Sequence, residues 1–255
     1  MNNIMKAVYI TGIKFHNITK QEFKSFINNL AENSDKNNII VTPNVDFVVR
    51  ADNDNMFKDI INSADFSVCD SSIIYYCSKL LSQSSLRDKI TGFDAMTALL
   101  QIANKRKEKI FLLGSTDDTV KLAVNNIKLT YPDLDVSGFR NGFFNIEKDT
   151  PGIIKCINDS GAKYLFIGMG SPRQEKWVYE NKDKLITKFI ISVGGLFDIY
   201  SGRIKRAPLF FQKIGMEWFW RFLNDPRRLF KRYFIEDMKF FYLLFKQVLH
   251  KEKKL

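Results

Sequence analysis

Histidine and cysteine are scarce: two and three residues, respectively, in a chain of 255. Cys69, Cys77 and Cys156 show no paired metal-ligand spacing, and His16 and His250 are too few to complete a set. A zinc site of the usual Cys/His type is therefore disfavoured. The three cysteines read as buried, reduced thiols of a cytosolic protein. Long apolar runs are also missing, since none approaches the roughly 18 residues needed to span a bilayer. The first stretch, "MNNIMKAVYITGIKF", has only seven uncharged residues between Lys6 and Lys14, too short a core for a secretory signal. The expectation is a chain that begins and remains in the cytoplasm. Two phosphate-binding signatures are absent as well. Counting from Gly168, G-x-G-x-x-G would need glycine where Arg173 stands, and there is no Walker A loop. A dinucleotide fingerprint and a P-loop are both disfavoured. Neither a solenoid-period repeat nor a low-complexity linker interrupts the chain.

What is present is an apolar content of 45%, enough for one large core or a core with an appendage. Short β-rich runs ("AVYITGI", "NIIVTPNVDFVV", "DFSVCD", "KIFLLGS", "YLFIGMGS", "FIISVGG") alternate with helical stretches such as "KQEFKSFINNLAEN", "GFDAMTALLQIANKRKE" and "DDTVKLAVNNIKLTYP". That rhythm predicts an α/β fold: a Rossmann-like, mostly parallel sheet flanked by helices, with ligands at the carboxyl ends of the strands. Composition changes near Tyr200 to Pro208, which divides the chain into a core, 1–200, and an appendage, 201–255. From Arg203 onward 14 Lys/Arg face 5 Asp/Glu, so the appendage carries +9 of the total +11, together with 13 of the 35 aromatic residues. At 100° per residue, Arg228, Arg232, Lys239 and Lys246 share one side, while Phe230, Phe234, Met238, Phe241, Phe245 and Val248 gather on the other. The pattern is a basic amphipathic helix, packed on the core or lying on an anionic membrane surface. Nucleic acid is a weaker partner, because no RNP-like or zinc-finger signature accompanies the charge.

Three strands run into glycine: at Gly114, at Gly168 and Gly170, and at Gly194 and Gly195. Glycine there permits tight turns and close approach of a ligand, and the next helix offers free amides to a phosphate. Thr42 and Asn44 follow an apolar run on either side of a proline; each can cap the turn or bond a sugar or phosphate. Asp70 ends "FSVCD", where a carboxylate can cap a helix or take a proton from an incoming hydroxyl. Gln174 and Glu175 follow Pro172 at a predicted helix start, with capping and ligand contact both open. Asp198, after "VGGLF", can contact a base or ribose, or pair with Arg203 or Arg206.

"TPNVDFV", "CDSSII", "ITGFD", "FLLGS", "GMGSPRQEKW", "SVGGLFDIYSGRIKRAP" and "EWFWRFLNDPRRLFKRY" occur in the order and spacing of the WecG/TagA/CpsF family of bacterial glycosyltransferases, which the chain resembles from about Ile4 to the end of the tail. The resemblance implies an inverting, metal-independent transfer of a sugar, with N-acetylmannosamine the first choice, from a UDP-sugar to a polyprenyl-diphosphate-linked sugar of the GlcNAc-diphosphate-undecaprenol type. It also implies a Rossmann-like core without a cofactor, and an appendage that engages the inner face of the cell membrane. By motif position Asp70 resembles the family's general base. Thr42, Asn44 and Gln174 resemble its sugar-side polar residues, and Gly168 and Gly170 border the nucleotide-sugar pocket. Asp198 resembles the residue near the uridine. Arg221 and Arg228, followed by Arg206 and Arg232, resemble appendage arginines that meet the acceptor's diphosphate, which suits a guanidinium fork.

Ser71 departs from the glycine common at that place, and serine tolerates fewer backbone conformations. "PDLD", Pro132 to Asp135, matches the metal-binding D-x-D of other glycosyltransferases, but reads here as a solvated connector. The alternative function is a non-catalytic UDP-sugar-binding or scaffold protein of the same fold. Donor identity, the exact lipid acceptor and homo-oligomer formation are left open by the sequence.

Overall fold

The computed structural model describes residues 6–34, 36–81 and 85–252, the last three as backbone only. The first five residues, and the side chain of His250, lie outside what is described. A small antiparallel hairpin, β1 (Ala7–Ile10) and β2 (Ile13–His16), precedes the main sheet. The main sheet comprises β3 (Asn38–Val41), β4 (Phe66–Ser67), β5 (Lys109–Gly114), β6 (Asp135–Arg140), β7 (Tyr164–Gly168) and β8 (Phe189–Ser192). All are parallel, in the order β4-β3-β8-β7-β5-β6. This is the expected α/β architecture, with "AVYITGI" set apart as a hairpin.

Helices cover both faces, which is why β5 and β7 read as unbroken apolar runs. Ile110 and Leu112 of β5, with Tyr164 and Phe166 of β7, meet helices Lys20–Asn33, Gly92–Arg106 and Asp117–Thr130. The alternate residues Phe111, Leu113, Leu165 and Ile167 meet Ile153 and Ile157 of helix Ile146–Asp159, and Trp177 of helix Arg173–Asn181. The hairpin is fixed to the sheet margin by the Ser67 amide, which donates to Nδ1 of His16 at 3.0 Å. Burial depresses the His16 pKa, in keeping with an accepting, neutral ring.

Three local expectations need correction. "NIIVTPNVDFVV" is one strand only as far as Val41; Asn44 then caps helix Val45–Asn53, its Oδ1 accepting from the Phe47 amide at 3.3 Å. "PDLD" is not wholly a connector, because Asp135 opens β6, an edge strand whose Gly138 admits the Phe111 ring. Both aspartates stand at the amino end of the strand, the opposite edge of the sheet from the glycine turns. Of the cysteines, all free, only Cys69 is buried; Cys77 is half-buried and Cys156 is exposed.

The tail is helical but broken. It comprises Leu209–Lys213, Glu217–Asn224, Pro226–Lys231, a π-turn at Arg232–Glu236 and a final helix, Lys239–Glu252. Phe240 and Leu244 of the last helix bury against the core. That helix is clipped at both ends. Lys239 pairs with Asp52 at 2.7 Å and donates to Asn53. Gln247 accepts from the Thr11 amide and donates to the Tyr9 carbonyl. The apolar stripe read from the sequence faces solvent: Phe230, Phe234, Met238, Phe241 and Phe245 are 44–61% exposed, whereas Val248 packs against the core. Among the described residues no helix is long and apolar enough to cross a membrane.

Candidate active site

The carboxyl ends of β3 and β4 converge on the start of helix Gly92–Arg106. Val41 and Pro43 carbonyls accept from the Val68 and Asp70 amides, at 3.0 and 3.1 Å, so the backbone beyond β4 follows β3 as far as Asp70. On its other side the Cys69 carbonyl accepts from Ile90 at 3.0 Å, which ties in the loop carrying Lys89. Thr91 then caps the helix in a box with Asp94, orienting the first-turn amides toward the strand ends. Gly92 is the floor of this corner. A Cβ placed there would lie 3.2 Å from Thr42 Oγ1, 3.6 Å from an Asp70 carboxylate oxygen and 3.6 Å from Leu196. Two side chains from the ends of different strands and one from the start of helix Leu196–Tyr200 thus meet over one glycine.

Asp70 is the most perturbed carboxylate of the corner. Burial pushes its pKa up to about 7; the Arg221 guanidinium opposes this, the Glu217 carboxylate adds to it, and the Gly92 amide and Lys89 pull it back down. A carboxylate that ionises near neutrality is suited to accept a proton. Ser71, in place of glycine, lies at φ −144°, extended backbone open to any residue, and its Oγ accepts from the Ile74 amide as helix N-cap. The turn beside Asp70 therefore does not require glycine.

Along the same sheet edge, β5, β7 and β8 end in a ladder of backbone contacts. A Cβ at Gly114 would meet the Gly168 carbonyl at 2.3 Å, and one at Gly168 would meet the Gly194 carbonyl and Phe197, both at 2.8 Å. Gly168 is accordingly buried and faces protein. Gly170 (φ +80°) and Gly194 (φ +54°) have nothing within 4 Å of a would-be Cβ, so these two turns face open space. Gln174 is buried behind them. Its Oε1 accepts from the Gly194 amide at 3.2 Å and its Nε2 donates to Glu175 at 2.6 Å, bracing the β7 turn against the β8 turn. Glu175 is buried as well, with Oε2 unpartnered, and burial pushes its pKa up to about 6. Asp198 lies on helix Leu196–Tyr200 beside Gly195. Burial raises its pKa, and Arg203 and Arg228 draw it down.

The appendage brings its arginines to different places. Arg221 acts on Asp70. Arg206 stacks on Phe93, its guanidinium 3.9 Å from the ring centre, and pairs with Glu217 at 3.5 Å. Arg228, exposed, pairs with Asp225 at the start of helix Pro226–Lys231. Arg232 is turned toward helix Val45–Asn53, 3.5 Å from Asp46 and 4.0 Å from Asp237. The structure thus gathers Thr42, Asp70, Arg221 and Arg206 at one corner, with Asn44 at the helix cap beside it. Gly170, Gln174, Asp198 and Arg228 stand along the neighbouring turns, while Gly168 and Arg232 are engaged within the protein. Lys89, Gly92 and Glu217 also belong to this surface and were not singled out from the sequence as site residues. Gly194 was read there as one of the strand-end glycines that admit a ligand, and its turn does face open space.

The model of the glycosyl transferase WecG/TagA/CpsF family matches residues 8–254. The chain belongs to that family. Over 223 residues it is 32% identical to the N-acetylglucosaminyldiphosphoundecaprenol N-acetyl-beta-D-mannosaminyltransferase of Staphylococcus aureus (strain MW2), covering 87% of this chain and 86% of that protein. Proteins of the same name from strains NCTC 8325 / PS 47 and MRSA252 match to the same extent. As a WecG/TagA/CpsF glycosyltransferase the chain is an enzyme, and the corner at Asp70 is its candidate catalytic centre.

Proposed function

We propose that this glycosyltransferase moves N-acetylmannosamine, with inversion, from a UDP-sugar to the terminal N-acetylglucosamine of an undecaprenyl-diphosphate acceptor at the inner face of the cell membrane. The observation that carries the reading is Asp70: a carboxylate tuned to about 7, seated over Gly92 beside Thr42, at the edge of the sheet where the glycine turns open. The choice of sugar and acceptor rests on the names of the Staphylococcus aureus relatives.

In the proposed step a hydroxyl oxygen of the acceptor sugar attacks the anomeric carbon from the face opposite UDP. The bond from that carbon to the diphosphate breaks, its electron pair leaves with UDP, and the hydroxyl proton passes to the Asp70 carboxylate. The growing charge on the departing diphosphate calls for fixed donors. The turns at Gly170 and Gly194 leave room for it, and Arg221 and Arg206 supply guanidinium groups at the same corner. Thr42 offers a hydroxyl toward the sugars. The exposed phenylalanines of the tail, beside a net charge of +9, support a peripheral contact with anionic lipid, to which each basic residue near the surface adds about 1 kcal/mol.

The test is UDP release by the full chain across a panel of UDP-sugars, with and without lipid-diphosphate-GlcNAc, alongside Asp70→Asn. Acceptor-dependent release with UDP-N-acetylmannosamine, lowered about 10²-fold or more in the variant, is expected. UDP binding without turnover of any donor would instead favour a non-catalytic binding protein.

A further inference from the structure

Glu217, at the first position of helix Glu217–Asn224, lies between two cations, Lys89 of the core and Arg206 at the start of the appendage. One carboxylate oxygen is 3.5 Å from Lys89 Nζ and the other 3.5 Å from Arg206 Nε. All three side chains are mostly shielded, at 17–26% exposure, so the attraction is less screened than at an open surface. Each cation is itself held. Lys89 donates to Ser72 Oγ at 3.0 Å, one residue before the tethered Ile90. Arg206 rests on Phe93, which stacks on Tyr200, whose hydroxyl bonds Thr97 at 2.9 Å. Just before the helix, Gly215 (φ +76°) brings backbone against helix Ser72–Ser78: a Cβ there would stand 3.0 Å from Ser72 and 3.1 Å from Tyr76. Arg221 follows Glu217 by four residues and so shares its side of the helix.

We propose that Glu217 is a positioning residue that latches its helix onto the core, directly through Lys89 and indirectly through Arg206 stacked on Phe93, and thereby sets Arg221 against Asp70. This rests on the reading of Asp70 as the proton acceptor only for its effect on turnover. The latch itself is a statement about docking. The carboxylate holds down one turn of helix, and the next turn delivers the guanidinium. Neither Glu217 nor Lys89 needs to touch substrate in this role.

The experiment is hydrogen–deuterium exchange on the full chain, without substrate, for the unaltered protein, Glu217→Gln, Lys89→Gln and the double variant, at about 0.05 M and 0.5 M salt. Lys89→Gln is expected to speed exchange in helix Glu217–Asn224 about fivefold, the size of one partly shielded ion pair, and Glu217→Gln, which also loses the Arg206 pair, at least as much, leaving β5 and β7 unchanged as internal controls. Because Glu217→Gln already removes the bond that Lys89→Gln removes, the double variant should exchange little faster than Glu217→Gln alone. High salt should speed exchange in the unaltered protein and have little effect in Glu217→Gln. Turnover in Glu217→Gln should fall about tenfold in kcat with KM for the UDP-sugar within about twofold, since the β7 and β8 turns are untouched. Unchanged exchange, additive effects of the two substitutions, or a rise in turnover would overturn the latch. Normal turnover in Asp70→Asn would remove the base and leave the exchange result standing.

Discussion

Replacing Asp70 with asparagine is expected to make the protein more stable while disabling it. An aspartate ordinarily ionises at 3.8 and Asp70 does so at about 7, principally because it is buried. In between, the folded chain holds a proton that the unfolded chain has lost, so stability falls as pH rises through this interval and levels off above 7. A shift of this size corresponds to about 4 kcal/mol at pH 8, of which more than half develops between pH 5 and pH 8. Asparagine has the same shape and no charge to bury, so the variant escapes that cost. The assay is urea unfolding of the unaltered protein and Asp70→Asn at both pH values. The variant should lead by several kcal/mol at pH 8 and by clearly less at pH 5. In parallel, kcat/KM of the unaltered enzyme should fall tenfold per unit as pH drops below about 7, because the proposed base is then protonated. A variant no more stable than the parent at pH 8, or one with the same advantage at both pH values, would refute the claim that this carboxylate is kept ionised against its surroundings.

Three further outcomes are expected. Gly168→Ala should destabilise by about 1–3 kcal/mol in denaturant unfolding, because its Cβ would press on the Gly194 carbonyl and Phe197; a neutral effect would show that the glycine ladder can yield. Arg232→Met should cost about 1–3 kcal/mol, more at pH 8 than at pH 5, by leaving Asp237 without its paired cation and Asp46 with Arg50 alone; burial already raises Asp237 to about 6, so acid relieves part of the loss. The double change Phe241→Ser and Phe245→Ser should abolish sedimentation with vesicles containing anionic lipid at unchanged Tm, since both rings are exposed in the folded chain; retained sedimentation would move the membrane contact elsewhere.

The sheet was legible because strands buried on both faces announce themselves as apolar runs, as β5, β7 and β8 do. β6 was not: an edge strand of sequence DVSGFR carries little apolar signal, and its glycine serves the Phe111 ring rather than a turn. "VDFVV" misled for a related reason, since a buried helix segment and a buried strand share composition and only the Asn44 cap separates them. Strand-end residues such as Thr42 and Asp70 could be proposed from position alone, because parallel strands deliver their carboxyl ends to one edge. The ion pairs closing the site could not. Lys89 and Glu217 are far apart in the chain and meet only through the docking of the tail. Likewise the stripe of tail phenylalanines was visible as a pattern, whereas the choice of Phe240 and Leu244 to face the core depends on where the helix is broken.

The last helix is held at both ends, by Lys239 on Asp52 and by Gln247 on the opening hairpin. Its exposed aromatic face is therefore fixed relative to the sheet, as a keel is to a hull. On the proposed membrane contact, a bilayer gripped by that face would set the attitude of the whole enzyme, and with it the height of Asp70 above the headgroups. The fold would then work as a ruler along a lipid carrier: it would reach the sugar standing at that height, and a chain one sugar shorter or longer would present its hydroxyl at the wrong level.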